Sequence, residues 1–236
     1  MNVNPKAVQR FGRVLLLVLI VFELFLVVIY LTGVVLTGKA YPLFDMDGQM
    51  TLSSLLQALQ LLLIGIIALS LFIFGRHSHY PPSRFFSFTV AFLFTYASVD
   101  EVFKVHLQLH HLLDTPHNKD WMPLYLAIGI STLVVFHRDF IRIWHFHRKV
   151  IEFVALGMGI FILGGFGGEV FKSQLLHLGL TQTYHSSQFT IVLVEALRVA
   201  VEEFSELIGE SLTLYGLCLF MAKRLEKNAE SAIAKP

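Results

Sequence analysis

Residues 189–221 form an apolar run long enough to cross a bilayer, yet they carry Glu195, Arg198, Glu202, Glu203, Glu206 and Glu210. An apolar stretch of about 20 residues or more reads as a transmembrane helix. Ionisable groups at bilayer depth are costly and persist where they face a partner, a bound ion or a water-filled cavity. The rest of the chain must therefore fold as whatever makes this helix tolerable.

Composition agrees with a membrane setting. Hydrophobic residues make up 55% of the 236 residues and charged residues only 15%, where a soluble domain carries about a quarter charged. Mean hydropathy is +0.67. The expected fold is all-α: a single polytopic membrane bundle of six transmembrane helices, with the lipid bilayer as its first partner. The net charge of +1 offers no basic surface for nucleic acid. The one cysteine, Cys218, excludes an intramolecular disulfide and a CxxC metal site. Basic residues ahead of the first apolar run resemble a signal peptide. That run is too long and no small-residue cleavage site is evident, so it reads as a retained span.

The six apolar segments are 12–37, 52–75, 85–113, 121–136, 150–179 and 189–221. The fourth is short for a hydrocarbon core of ~30 Å, which leaves five spans with a re-entrant fourth segment as the alternative. Lys6, Arg10, Arg13, Arg76, Arg84, Arg138, Arg142, Arg148, Lys149, Lys223, Arg224 and Lys227 fall on one side of such a bundle, and little beyond Lys39 and Lys119 on the other. The positive-inside rule then puts both termini in the cytoplasm. Trp121 and Trp144 suit interfacial anchoring, and 140–149 reads as a basic interfacial stretch. His145 and His147, two apart, splay too far on a helix for a metal pair. Residues 225–236 look like a solvated tail. No internal repeat supports an inverted-repeat transporter.

Four spans hold ionisable groups. The first has Glu23, either protonated alone or joined to a polar cluster. In the third, Glu101, Lys104, Gln108 and His111 follow i, i+3, i+7, i+10, which is one face of a regular helix. Asp100 falls beside them, while His106 and His110 lie on another face. Asp100 or Glu101 could simply neutralise Lys104, and His110 and His111 suit the outer headgroups. In the fifth span Gly164 and Gly168 form a GxxxG face, with Gly165 and Gly167 beside it. Glu169 follows, with Lys172 at a spacing that permits an internal pair. In the sixth, Glu195, Arg198, Glu202, Glu206 and Gly209 share a face. Glu210 flanks it and Glu203 points off it. Leaving out Arg13 and Glu152 at the span ends, nine carboxylates face three permanent bases (Lys104, Lys172 and Arg198), so six acids lack a basic partner. They must hold protons or metal. By rise per residue, Asp100, Glu101, Glu169, Glu202 and Glu206 fall near mid-bilayer. Glu23 and Glu210 lie towards the cytoplasm, and Glu195, Lys172, His110 and His111 towards the outside.

Three functions compete. Carboxylates and histidines from facing helices build di-metal centres, with Glu101, His106, Glu169, Glu202, Glu203 and Glu206 as candidate ligands for iron, manganese or zinc. Against this, no Glu-x-x-His element is present, and Asp100 and His106 are six apart, too far to meet on a regular helix. A ladder of Glu23, Asp100, Lys104, His110, His111, Lys172, Glu195, Arg198 and Glu210 would instead serve a proton or cation pathway, in a compact pore or a homo-oligomer. A subunit of a larger membrane complex, with no catalytic role, is the third reading.

The segments Val-Asp-Glu-x4-His (Val99 to His106) and Glu-Glu-x2-Glu-x2-Gly (Glu202 to Gly209) resemble those of uncharacterised bacterial polytopic membrane proteins. Those carry a Leu-Asp-Glu…His-Glu segment and a later Glu-Glu…Glu…Gly helix. This chain has Val99 and Leu107 where that pattern tends to have Leu and Glu, which weakens a shared metal-ligand set. The resemblance covers two helices, implies the bacterial inner (plasma) membrane, and brings no activity with it.

Overall fold

The structure is a computed structural model. It describes residues 4–75, 80–108, 121–175 and 188–233, and the side chains among these apart from 166, 169–175, 188, 232 and 233. Among the described residues seven α-helices follow in order, with a short 3-10 helix (Pro42–Phe44) after the first: α1 (Pro5–Thr37), α2 (Leu52–Phe74), α3 (Arg84–Phe103), α4 (Trp121–Val135), α5 (His137–Phe146), α6 (Arg148–Leu175) and α7 (Gln188–Ile233). No strand occurs among the described residues. The expected all-α class holds. Helices α1, α2 and α3 are each long and apolar enough to cross a membrane, and α4 and α5 pass that test together as a pair bent by 62°.

The helix ends are set locally. Asn4 accepts from the Lys6 N–H ahead of α1, with Pro5 at its first position. There the missing N–H costs nothing and φ is already helical. Gly38, at φ +74, closes α1 by donating its N–H to Val34 O, the left-handed end that glycine adopts without strain. Thr51 and Ser54 form a reciprocal capping box on α2, satisfying two otherwise orphan donors. Ser83 caps α3 and is itself fixed by Asp139 of α5, which accepts from the Ser83 N–H at 2.7 Å and the hydroxyl at 2.8 Å.

Helix α7 is the axis of the bundle, with α1, α2 and α6 packed directly on it and α3 lying against α2. One apolar cluster joins Tyr30 and Val34 of α1, Met46 of the following connection, and Ala196, Val199, Ala200 and Leu207 of α7. A second joins Leu71, Ile143, Val150, Leu219 and Phe220 at the opposite end. The outer faces of α1 and α4 stay exposed and apolar, as in Val21, Val28, Leu133 and Val134. Exposed residues of that kind suit a lipid solvent rather than water.

Two sequence boundaries shift. The third apolar segment is not one helix: α3 ends at Phe103, Lys104 is left-handed (φ 47, ψ 47), and a new helical turn covers 105–108. The register that put Gln108 on the face of Glu101 is therefore lost. The segment after residue 225 continues α7 to Ile233, with residues 228–231 exposed.

Candidate functional site

The carboxylates of α7 face α2, α3 and α6. Their placement depends on glycine. A side chain on Gly164 would strike Ser205, and one on Gly165 would strike the Glu206 carboxylate. One on Gly168 would come within 2.7 Å of the Glu202 carboxyl carbon. A side chain on Gly157 would run into the Gly209 carbonyl. Small residues let helix backbones approach closely, and here the gap they leave is filled by the acids of the neighbouring helix. The expected role of the glycine face is thus met at Gly164, Gly165 and Gly168, whereas Gly167 has open space beside it.

The charges sort into three groups. Arg198 holds Glu195 through two contacts, at 2.9 and 3.0 Å, and also pairs with Glu202. Lys104 pairs with Glu101 at 2.6 Å and lies within electrostatic reach of Glu203 and Glu206. It is the shared cation of carboxylates from α3 and α7. Glu203 makes no contact with Arg198 among the pairs above and lies within the electrostatic reach of this lysine.

The third group has no ion pair among the described residues, although Lys104 lies within electrostatic reach of Glu206. Glu206 accepts from the Gln57 amide at 2.7 Å. Glu210 is 3% exposed, neither carboxyl oxygen has a hydrogen bond among the described residues, and Gln57 lies beside it. Glu23 is 0% exposed and accepts from Ser211 at 2.6 Å and from Gln60 at 2.9 Å through the same oxygen, leaving its other oxygen bare. The side-chain carbonyls of Gln57 and Gln60 are likewise unmatched. Of the two alternatives for Glu23, these hydrogen bonds join it to polar side chains of α2 and α7. Glu23 Oε2, both Glu210 oxygens and the Gln57 and Gln60 amide oxygens are therefore buried acceptors without a hydrogen bond among the described residues. Leaving a buried acceptor unmatched costs about 1–3 kcal/mol. A proton on a carboxyl group turns one of them into a donor.

At the end of α3 the broken helix makes a fourth arrangement. Asp100 accepts from the His106 backbone N–H at 2.7 Å and from the Tyr125 hydroxyl at 3.1 Å, and its other contact is with Nδ1 of His106 at 2.9 Å. Tyr125 and Tyr96 hydroxyls lie 3.0 Å apart, and Trp121 packs 4.7 Å from the His106 ring. Sequence spacing kept Asp100 and His106 apart; the left-handed Lys104 turns the chain back and brings them together.

Among the described residues no group of three or more His, Cys, Asp or Glu side chains is placed to hold a metal ion. Of the expected ligands, Glu101, Glu203 and Glu206 lie around Lys104, Glu202 is on Arg198 and His106 is on Asp100. The Glu169 and Lys172 side chains, with His110 and His111, lie outside the described residues. The residues that sequence reasoning missed are Gln57, Gln60, Ser211 and Tyr125. Gln57 and Gln60 had a signal, since Ser53, Ser54, Gln57 and Gln60 recur at helical spacing inside an apolar run.

A family described as Domain of unknown function (DUF8692) matches residues 13–222. No curated protein and no solved structure matches the chain.

Proposed function

The chain belongs to the DUF8692 family, and from that premise we propose that it conducts protons across a membrane through the carboxyl–amide network of α1, α2, α3 and α7. One observation carries this: Glu23 and Glu210 are fully enclosed, and Glu23 Oε2 and both Glu210 oxygens make no hydrogen bond among the described residues. Such groups are satisfied by a proton, and Glu206, Gln57 and Gln60 provide acceptors around them. Lys104 supplies the compensating charge. With Glu101 ionised it stays on Glu101; a proton on Glu101 releases it towards Glu203 and Glu206.

The surrounding topology follows the apolar segments. Six spans, with α4 as the fourth and α5 at the cytoplasmic interface, place both termini in the cytoplasm under the positive-inside rule. Glu23 and Glu210 then lie on the inward side and Asp100 near mid-bilayer or slightly beyond, so the network runs from the inward side past the middle of the hydrocarbon. The bacterial inner membrane and assembly as a homo-oligomer are part of the same reading. Binding of iron, manganese or zinc would need three or more converging ligands, and the described residues supply no such set. The proton pathway is therefore the stronger reading.

The test is flux. Purified protein in sealed vesicles containing a trapped pH indicator should dissipate an imposed pH gradient faster than protein-free vesicles. Glu206→Gln keeps the size and the Gln57 contact but cannot release a proton, so it should return the rate to the protein-free level. Unchanged flux in Glu206→Gln would refute the pathway, and stoichiometric metal in the purified protein would favour the metal site.

A further inference from the structure

The break in α3 does more than end a helix. An unsupported left-handed lysine costs roughly 1–2 kcal/mol, and the local hydrogen bonds offset it. By turning back at Lys104, the chain delivers both the backbone N–H and Nδ1 of His106 to Asp100. The Tyr125 hydroxyl completes the set of donors. A carboxylate that accepts from Nδ1–H fixes the imidazole tautomer and leaves Nε2 with a lone pair. Nε2 makes no hydrogen bond to a described residue, while Trp121 holds the ring plane.

We propose that Asp100 is a positioning residue that locks His106 in the Nδ1–H tautomer, making His106 Nε2 the proton acceptor at the outward end of the network. This inference rests on the proton-pathway reading. The transfer is a balanced proton hop: hydronium arriving from the outward side gives its proton to Nε2 and becomes water. The resulting imidazolium then passes its Nε2 proton to the Glu101 carboxylate, which lies within its electrostatic field, and returns to neutral imidazole. Glu101, now a neutral acid, lets go of Lys104, whose field already reaches Glu203 and Glu206. The charged and titratable groups around His106 are Asp100, Glu101 and Lys104 from its own chain segment and Tyr125, with Tyr96 behind it, across the α3–α4 contact. None of the other described histidines meets a carboxylate in this way; His137 Nδ1, for instance, lies against the Val134 carbonyl.

Two readouts on the full-length protein in lipid separate this inference from the pathway itself. Nitrogen-15 spectroscopy of histidine-labelled wild-type protein at neutral pH should find one histidine fixed as Nδ1–H. Its signal should vanish in His106→Gln and become a mixture of tautomers in Asp100→Asn, whose amide can donate as well as accept. In the vesicle assay His106→Gln and Asp100→Asn should each slow proton flux by roughly 100-fold, the lower end of the loss for a general acid–base group. A wild-type His106 carrying its proton on Nε2 would overturn the proposal without touching the pathway. So would His106→Gln flux equal to wild type in a preparation where Glu206→Gln is inactive. Wild-type vesicles that hold their gradient would overturn both.

Discussion

Glu210 and Glu23 show how two buried carboxyl groups can differ in what they require. Glu23 has two donors on one oxygen, from Ser211 and Gln60; Glu210 has none among the described residues. Replacing Glu210 with Gln removes a titratable proton and little else. The expected change in stability is within about 1 kcal/mol, because an amide of the same shape offers both a donor and an acceptor to the neighbouring Gln57. Replacing Ser211 with Ala deletes a donor to a fully buried acceptor, and a loss of about 1–3 kcal/mol is expected. Thermal unfolding of the two variants in the same detergent should reproduce that order. A Glu210→Gln protein less stable than Ser211→Ala would mean that Glu210 is held as an anion.

The elements carry this chemistry through close packing and through one break. On α6, Gly157, Gly164 and Gly165 are where a methyl group would collide with α7, whereas Gly159 and Gly167 face open space. Gly164→Ala and Gly165→Ala should lower the unfolding temperature and disturb flux by pushing α6 off the acids. Gly159→Ala should keep flux and raise helix stability by up to about 1 kcal/mol. Equal effects at all three sites would contradict the packing described. Between α5 and α6, burial, followed by Lys223 and Lys149, holds His147 below its ordinary value of 6.5. The folded protein then binds fewer protons there than the unfolded chain, so stability falls as pH drops below about 6.5. His147→Gln should flatten that fall when unfolding is followed from about pH 7.5 to about pH 5.5. The charged helices were readable in advance, because Glu and Arg stand out in apolar runs. Lys104 was not. No glycine or proline marks the break in Val-Asp-Glu-Val-Phe-Lys-Val-His. It is made by Asp100 offering the backbone an alternative partner, which spacing alone cannot reveal. Gln57 and Gln60 escaped notice for a simpler reason: an uncharged amide barely alters the apolar pattern, although each is at most 2% exposed.

For the whole molecule, the surplus of acids takes on a location. Arg198 accounts for Glu195 and Glu202, and Lys104 for Glu101, while Asp100 is filled by His106 and Tyr125. Within the described side chains this leaves Glu203, Glu206, Glu210 and Glu23, a run from the middle of α7 to α1. The proposed topology makes that run point inward. It is checked by single cysteines in a Cys218→Ser background: Lys39→Cys should react with an impermeant thiol reagent on intact cells, and Arg142→Cys only after the membrane is opened. The claim on which everything else depends is that buried carboxyl groups of this run hold protons in the resting protein. Infrared spectroscopy of the protein in lipid at neutral pH reads it directly. The account predicts a carbonyl stretch of neutral carboxylic acid that survives at pH 7 and loses intensity in Glu210→Gln. Absence of any neutral-acid band at pH 7, or a band unchanged by Glu210→Gln and Glu23→Gln alike, would contradict it.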